Sequence, residues 1–508
     1  MNNLHTIRNI ALSKISPRPD LSAHDWNQYF KMPVYRSYSG STLMKHQVQH
    51  AQRLLKFIRG RNVVADTSEA GLGKSHVAAW IAQQLDLPLM IFCPKNSINF
   101  WYNIATSYGV RVVTVTNYEM ARNNEGITTT KWYDMRENLV KDASICHWIT
   151  KKEKEGSLVF KWRLPYKCMI VFDEEHIGKN ADTQTFSFIN GAVKAARKYG
   201  HKIMLLSATP IEKRVQLKSI MYFLGMIERP SMEEVKKFAK SNGLDFDLKI
   251  MHDYLYDDNH GAISSMPDFM PGDNIRNIIL PKSYHMGDIA TKSIIATNEN
   301  IQALRKQLSE RQDDNILSEI NANRRLIETY KIEPMVDLVV DALSTGRYKR
   351  ACLFLNFVDS INSAIKKLKL KGYGNDDIAT IYGNQSQEMV ISTIDAYVKG
   401  KVKILLATIS KAGKSISLHD HIRDIGPLET FVIISPPTSA TDLMQALKRH
   451  FRAGIKSSVT QVIPFAEGDP IEDSNRDGLI SKINDIRNFT SGKDSDFSLD
   501  SRSSIPDD

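Results

Sequence analysis

Two runs of short apolar strands, each alternating with helix-like stretches, constrain this chain more than any other feature. In the first half NVVAD, LPLMIFC, VRVVTV, KCMIVF and KIMLLS read as buried strands, each closed by a loop and followed by a helical segment. In the second half RACLFLNF, IATIYG, VKILLAT, TFVIIS and VTQVIPF repeat the arrangement. Strands that are apolar throughout must be buried on both sides, and strands separated by helices pair in parallel. The pattern therefore predicts an α/β fold with two parallel sheets, each covered by helices. The first unit is expected over 41–228 and the second over 336–470. Between them the pattern weakens into stretches such as DDNHGAISSMPDFMPGDN. Residues 229–335 are thus expected to form a helical or irregular insert. Residues 1–40 read as a polar extension. The Ser- and Asp-rich end, 471–508, reads as an acidic, disordered tail.

A chain of 508 residues is long enough for two or three domains. No run approaches the roughly 18 uninterrupted apolar residues of a membrane helix. The opening MNNLHTIRNIALSKISPRPD has no sustained apolar core, so no secretory signal is expected. Four cysteines, Cys93, Cys146, Cys168 and Cys352, lie far apart without paired metal-ligand spacing. They suit reduced thiols inside a cell and give no zinc site. The net charge of +10 is unevenly spread, because 466–508 carries five Lys or Arg against eleven Asp or Glu. A basic body with an acidic end suggests a polyanionic partner, most simply nucleic acid.

The most specific local signal is NVVADTSEAGLGKSHVAAWIAQQL, which runs strand, glycine-containing loop, Gly-Lys-Ser, then an apolar-periodic helix. Such a loop, here Ser68, Glu69, Ala70, Gly71, Leu72 and Gly73, turns backbone N–H groups and a helix N-terminus toward phosphate oxygens. Lys74 is placed to reach the β- and γ-phosphates of ATP, and the Ser75 hydroxyl to ligate Mg2+. Ser68 stands where the strict pattern has its first glycine. One strand set later, KCMIVFDEEH ends a buried strand in acids. Asp173 is expected to hold magnesium through its water shell, and Glu174 to activate the water that attacks the γ-phosphate. A second Gly-Lys-Ser, at Gly413, Lys414 and Ser415, lacks both a further upstream glycine and a following acidic strand end. It is not read as a phosphate loop.

These residues resemble superfamily-two helicases, and especially the Swi/Snf-type ATPases with two RecA-like lobes. LMKHQ, ending at Gln47, is similar to their adenine-reading glutamine motif, and EAGLGKS to their first motif. PLMIFCPKNSINFW and VTNYEM follow in the family order. Asp173, Glu174 and His176 match the Asp-Glu-x-His box, and Lys179-Asn180 the pair after it. In LLSATPIEKRVQLKSIMYFLGMI, Ser207 and Thr209 correspond to residues that link hydrolysis to nucleic-acid contacts. LLATISKAGKSISLHD resembles the fifth motif, with Ser415 where glycine is usual, and Val390 replaces an arginine usual after IYGNQS. QALKRHFRAG, from Gln445, matches the sixth, with Arg449 and Arg452 as candidate arginine fingers.

The resemblance covers Leu43 to Ile227 and Lys331 to Phe465. It implies an ATP hydrolase stimulated by nucleic acid, DNA more than RNA, gripping phosphates through groups around Lys95, Asn96, Lys411 and Lys414. It also implies an intracellular protein without membrane contact. A strand-separating helicase on RNA or DNA, and a non-catalytic scaffold, are the alternatives. The basic stretch 131–167, with Trp132, Trp148 and Trp162, reads either as a nucleic-acid clamp or as a surface insertion anchored by its aromatics.

Overall fold

The computed structural model describes residues 42–69, 71–122, 132–133, 139–140, 149–154, 157–164, 167–174, 178, 180–181, 183–266, 275–310, 314–383, 385–412, 416–422, 424–452 and 454–491. The chain divides into two compact units, Met1–Asp268 with Asp485–Asp494, and Phe269–Asn484 with Ser495–Asp508.

The first unit holds β1 (Val63–Asp66), β2 (Leu89–Phe92), β3 (Val112–Thr116), β4 (Trp132–Tyr133), β5 (Leu139–Val140), β6 (Ile149–Lys154), β7 (Ser157–Trp162), β8 (Met169–Asp173), β9 (Lys202–Leu206) and β10 (Ile263–Ser264). Six of these form one sheet in the order β10-β1-β9-β8-β2-β3, and every pairing in it is parallel. Parallel pairing brings all the carboxyl ends to one edge. Leu206, the last residue of β9, is the register partner of both Asp66 and Asp173. The two strand ends that carry the expected phosphate loop and acidic box thus flank a single strand.

The hairpin β6–β7 pairs antiparallel and is pinned to the core by aromatic packing. Trp162 is buried against Phe188 at 4.8 Å between ring centroids, and its Nε1 donates to Phe188 O at 3.1 Å. That part of the basic stretch is therefore an insertion anchored by its aromatics. The Trp132 side chain and Trp148 lie outside the described residues.

The second unit has β11 (Asn277–Tyr284), β12 (Arg350–Leu355), β13 (Ile378–Ile381), β14 (Ile404–Thr408), β15 (Thr430–Ile434) and β16 (Val459–Ala466). They form a six-stranded sheet ordered β11-β16-β15-β12-β14-β13, again parallel throughout. Its core collects Leu353, Leu355, Ile404, Leu406, Ile433 and Val462 from the strands, and Met335, Val336 and Val339 from a covering helix.

Two expectations about organisation are revised. Residues 229–335 are not a separate insert. Helices Met232–Ser241 and Leu248–Leu255 bury Val235, Leu248, Met251 and Leu255 in the first core, and β10 extends the first sheet. Beyond the undescribed 267–274, β11 joins the second sheet along eight residues of β16. Helices Asp288–Glu310 and Asp314–Ser344 then follow. The stretch looked irregular because β10 is only two residues long and its helices mix buried with exposed positions. At the other end, residues 470–491 form a helix, Pro470–Ser491. It buries Leu479, Ile483, Ile486 and Phe489, a three-to-four-residue spacing that the acidic composition masked. Residues 492–508 lie outside the described residues, as do 1–41.

Candidate active site

The loop after β1 is shaped by two glycines. Gly71 and Gly73 both sit at φ +91°, a left-handed conformation that a side chain disfavours. A Cβ on Gly73 would lie 2.2 Å from Gln47 Nε2 and displace that amide, while the positive φ itself favours glycine there. Helix Lys74–Gln84 begins at once and directs the positive end of its dipole into the loop. Lys74 Nζ donates to Ser68 O at 2.8 Å and to Glu69 O at 3.2 Å. Gln47 Nε2 donates to Leu72 O at 2.9 Å, while Gln47 Oε1 accepts from Met44 N at 2.9 Å. The glutamine expected to read adenine is thus fixed against the loop. Ser75 is half-buried in the first helical turn. Ala70 lies outside the described residues.

Asp173 ends β8. Its Oδ2 accepts from Trp101 Nε1 at 2.7 Å, and its carbonyl accepts from Tyr118 OH at 2.8 Å. Burial, then the adjacent Glu174 charge, push the Asp173 carboxyl up to about 7, against the opposing Trp101 hydrogen bond and Lys74 charge. Glu174 adopts φ +58°, a backbone state that costs a non-glycine residue roughly 1–3 kcal/mol and collects at functional sites. Lys74 acts electrostatically on Asp173 and on Asp66. The lysine and the acidic strand end therefore share one local field.

Ser207 and Thr209 are buried beyond β9. Ser207 N donates to Asp66 O at 3.1 Å, and Thr209 N to Ser207 Oγ at 3.1 Å. Among the described residues Thr209 Oγ1 is buried without a hydrogen-bond partner. Asn180 Oδ1 accepts from Gln216 Nε2 at 3.0 Å. His176 and Lys179 lie outside the described residues. Lys95 is exposed in the short turn Lys95–Ser97 that also contains Asn96.

Gln445, Arg449 and Arg452 belong to the second unit. Arg449 is 2% exposed and Gln445 4%. Arg449 Nη1 and Arg452 Nη1 both donate to Ile416 O, at 3.1 and 3.2 Å, and Arg452 Nη1 also donates to Ser417 Oγ. The two arginines converge on one stretch of backbone just beyond the second Gly-Lys-Ser. Lys411 is half-buried in the short helix Ile409–Ala412, and Lys414 lies outside the described residues.

Reading the sequence missed Trp101 as the donor to Asp173, and it missed the buried polar residues behind the loop, His50 and Asp66. Asp66 did carry a signal, as a carboxylate closing an otherwise apolar strand.

No family model matches the chain. A protein named as an ATP-dependent RNA helicase in Acanthamoeba polyphaga mimivirus is 26% identical over 463 residues, covering 85% of this chain and 81% of the relative. The fold observed, two six-stranded parallel sheets, is of the α/β class read from the sequence. An uncharacterized ATP-dependent helicase of Bacillus subtilis strain 168 is 26% identical over 180 residues, 34% of this chain and 28% of that protein. Among solved structures, the Sulfolobus solfataricus SWI2/SNF2 ATPase core in complex with dsDNA matches at 17% identity, covering 86% of this chain and 90% of that one, with a TM-score of 0.31. Saccharomyces cerevisiae Dbp5 bound to RNA and ADP BeF3 matches at 12% identity over 94% of each chain, with a TM-score of 0.43.

Proposed function

We propose that this helicase-like chain hydrolyses ATP under stimulation by nucleic acid and uses the cycle to move along or remodel DNA. The observation that carries the reading is the shared sheet edge, where Lys74 and the Asp173–Glu174 strand end act in one electrostatic field. The residues present fit a magnesium-bound triphosphate. A carboxyl pushed up to about 7 by burial and a neighbouring negative charge gains strongly when a cation arrives. Ser75 and Asp173 would hold Mg2+, which would neutralise charge on the phosphates. Lys74 and the N–H groups of the loop hold the β- and γ-phosphates, and Gln47 orients the base. Glu174 accepts the proton of the attacking water.

Arg449 and Arg452 supply positive charge to the transition state, an effect worth about 10³–10⁵ in rate in related phosphoryl transfers. Ser207, Thr209, His176 and Gln445 couple that chemistry to the track, which is gripped through backbone phosphates near Lys95, Asn96, Lys411 and Lys414. Among the described residues no helix is long and apolar enough to cross a membrane. The proposed nucleic-acid track favours an intracellular site of action.

The Swi/Snf-like motif series favours DNA as the track. A second reading, strand separation on RNA, is favoured by the name of the mimivirus relative. Steady-state ATPase rates against single- and double-stranded DNA and RNA test both. Stimulation by duplex DNA without strand displacement supports the first reading, and RNA stimulation with displacement replaces it by the second. A rate indifferent to every nucleic acid removes both.

A further inference from the structure

Helix Lys45–Gly60 reaches the phosphate loop at both ends. Gln47 holds the far end through Leu72 O. One turn along the same face, His50 is 4% exposed and addresses the near end. Its Nε2 lies 3.0 Å from Asp66 Oδ2, and its Nδ1 lies 2.9 Å from Ser264 Oγ on β10. Asp66, wholly buried, turns its other oxygen to the loop. Oδ1 accepts from Ser68 N at 2.9 Å and from Ser68 Oγ at 2.5 Å. Ser68 Oγ in turn accepts from Met266 N at 2.8 Å. The remaining polar atom of Ser68, its carbonyl oxygen, is the one that receives Lys74 Nζ.

A wholly buried carboxylate at the end of an apolar strand is costly unless it is paired and hydrogen-bonded. Here it is paired with His50 and accepts two hydrogen bonds from a single residue of the loop. A strand end without any charge would have served the core better. The arrangement makes sense as a brace on the loop rather than as part of the core.

We propose that His50, Asp66 and Ser68 form a buried brace that sets the loop's carbonyls, and with them Lys74, before nucleotide arrives. Ser68 replaces the glycine usual at its position because its hydroxyl is the anchor, tying the loop to Asp66 and to the chain just beyond β10. His50 and Asp66 are positioning residues, acting on phosphate through Ser68 and Lys74. The inference rests on reading this loop as the ATP site.

If the brace pre-orders the loop, losing it makes nucleotide binding bear the ordering cost, while bound nucleotide restores the geometry. The loss then falls on affinity and KM rather than on kcat. The test uses the full chain with magnesium and the non-hydrolysable analogue AMP-PNP in titration calorimetry, beside steady-state ATPase kinetics at saturating nucleic acid. Ser68→Ala and Asp66→Ala should weaken AMP-PNP binding and raise KM about tenfold, the scale of one or two net hydrogen bonds. Asp66→Asn keeps an oxygen for Ser68 and should bind within about twofold of wild type. If Asp66→Ala does not fold, Ser68→Ala, which removes a single hydroxyl, decides the matter alone.

Wild-type affinity in Ser68→Ala overturns the brace. So does an equal loss in Asp66→Ala and Asp66→Asn, or a fall in kcat at constant KM. A wild-type chain that does not bind AMP-PNP fails the reading of the site itself, a result separable from the others.

Discussion

At the scale of single residues, the acidic strand end divides its work between neighbours. Glu174→Gln keeps the shape of the site and removes the proton acceptor, so nucleotide affinity should stay within about threefold of wild type. Turnover should fall by the 10²–10⁴, roughly, that general-base catalysis contributes. Near-normal hydrolysis in that variant removes Glu174 from the mechanism. Asp66 gives a pH prediction with a definite sign. Burial alone raises its carboxyl, but the charge and hydrogen bond of His50, with Lys74 and Ser68, outweigh burial and hold it below its ordinary 3.8. A carboxylate depressed in the folded state adds stability above pH 3.8, and the gain is lost as pH falls through the folded value. Denaturant unfolding of wild type and Asp66→Asn should therefore differ most near neutrality and converge in acid, whereas a constant gap contradicts the pairing. Lys74, Ser75, Asp173 and Glu174 were legible because phosphate chemistry needs those types at fixed offsets from strands. His50 was not, since a histidine inside an amphipathic helix has no partner in sequence, and its partner became visible only when β1 and the helix packed.

Among elements, ten apolar strands were legible to within two residues, because burial on both faces favours an apolar composition throughout, whereas β4–β7, β10 and β11 were not. The ends of elements were harder, as Arg350 shows. It opens β12, where a sequence reader expects a solvated charge, yet it is 1% exposed. Its guanidinium donates to Thr430 Oγ1 at 2.9 Å, Tyr397 O at 3.0 Å and Leu418 O at 3.2 Å, and it lies 4.6 Å over the Tyr397 ring. It thereby ties β12 to β15, to helix Gln387–Val398 and to the 416–418 backbone on which Arg449 and Arg452 converge. Arg350→Met should destabilise the second unit by about 2–4 kcal/mol, because the buried groups left behind lose their donor. AMP-PNP affinity at temperatures where the variant is folded should not change. Thermal unfolding beside calorimetry checks this, and a wild-type melting profile would show the knot to be dispensable. The two Gly-Lys-Ser segments part at this scale too. Lys74→Ala should abolish nucleotide binding, whereas Lys414→Ala should mainly weaken nucleic-acid stimulation, and equal losses of ATP affinity would mean that both loops hold phosphate.

For the whole molecule, the sequence showed two sheets but assigned 229–335 to neither. The chain gives its first part to the first sheet and its later part to the second, through strands too short or too mixed to read alone. The division has a catalytic consequence. Lys74 and Glu174 belong to one unit, Arg449 and Arg452 to the other, so the mechanism proposed above draws on residues of both. On that proposal nucleic acid should accelerate hydrolysis. A body of +16 before the acidic end gains much of its affinity for such a track by releasing counterions. That gain falls steeply with salt, by roughly 10³–10⁵ between 50 and 200 mM for six to ten phosphate contacts. The measurement is the steady-state ATPase rate against DNA and RNA concentration at those two salts, for wild type and Arg452→Ala. Wild type should need far more nucleic acid for half-stimulation at the higher salt, with the saturated rate little changed, because salt acts on binding and not on the arginines. Arg452→Ala should behave in the opposite way, binding the track at wild-type concentrations while its saturated rate collapses. If instead Arg452→Ala hydrolyses ATP like wild type, the arginine only supports the Ile416 carbonyl and Ser417 hydroxyl it touches, and the transition-state charge must come from Arg449.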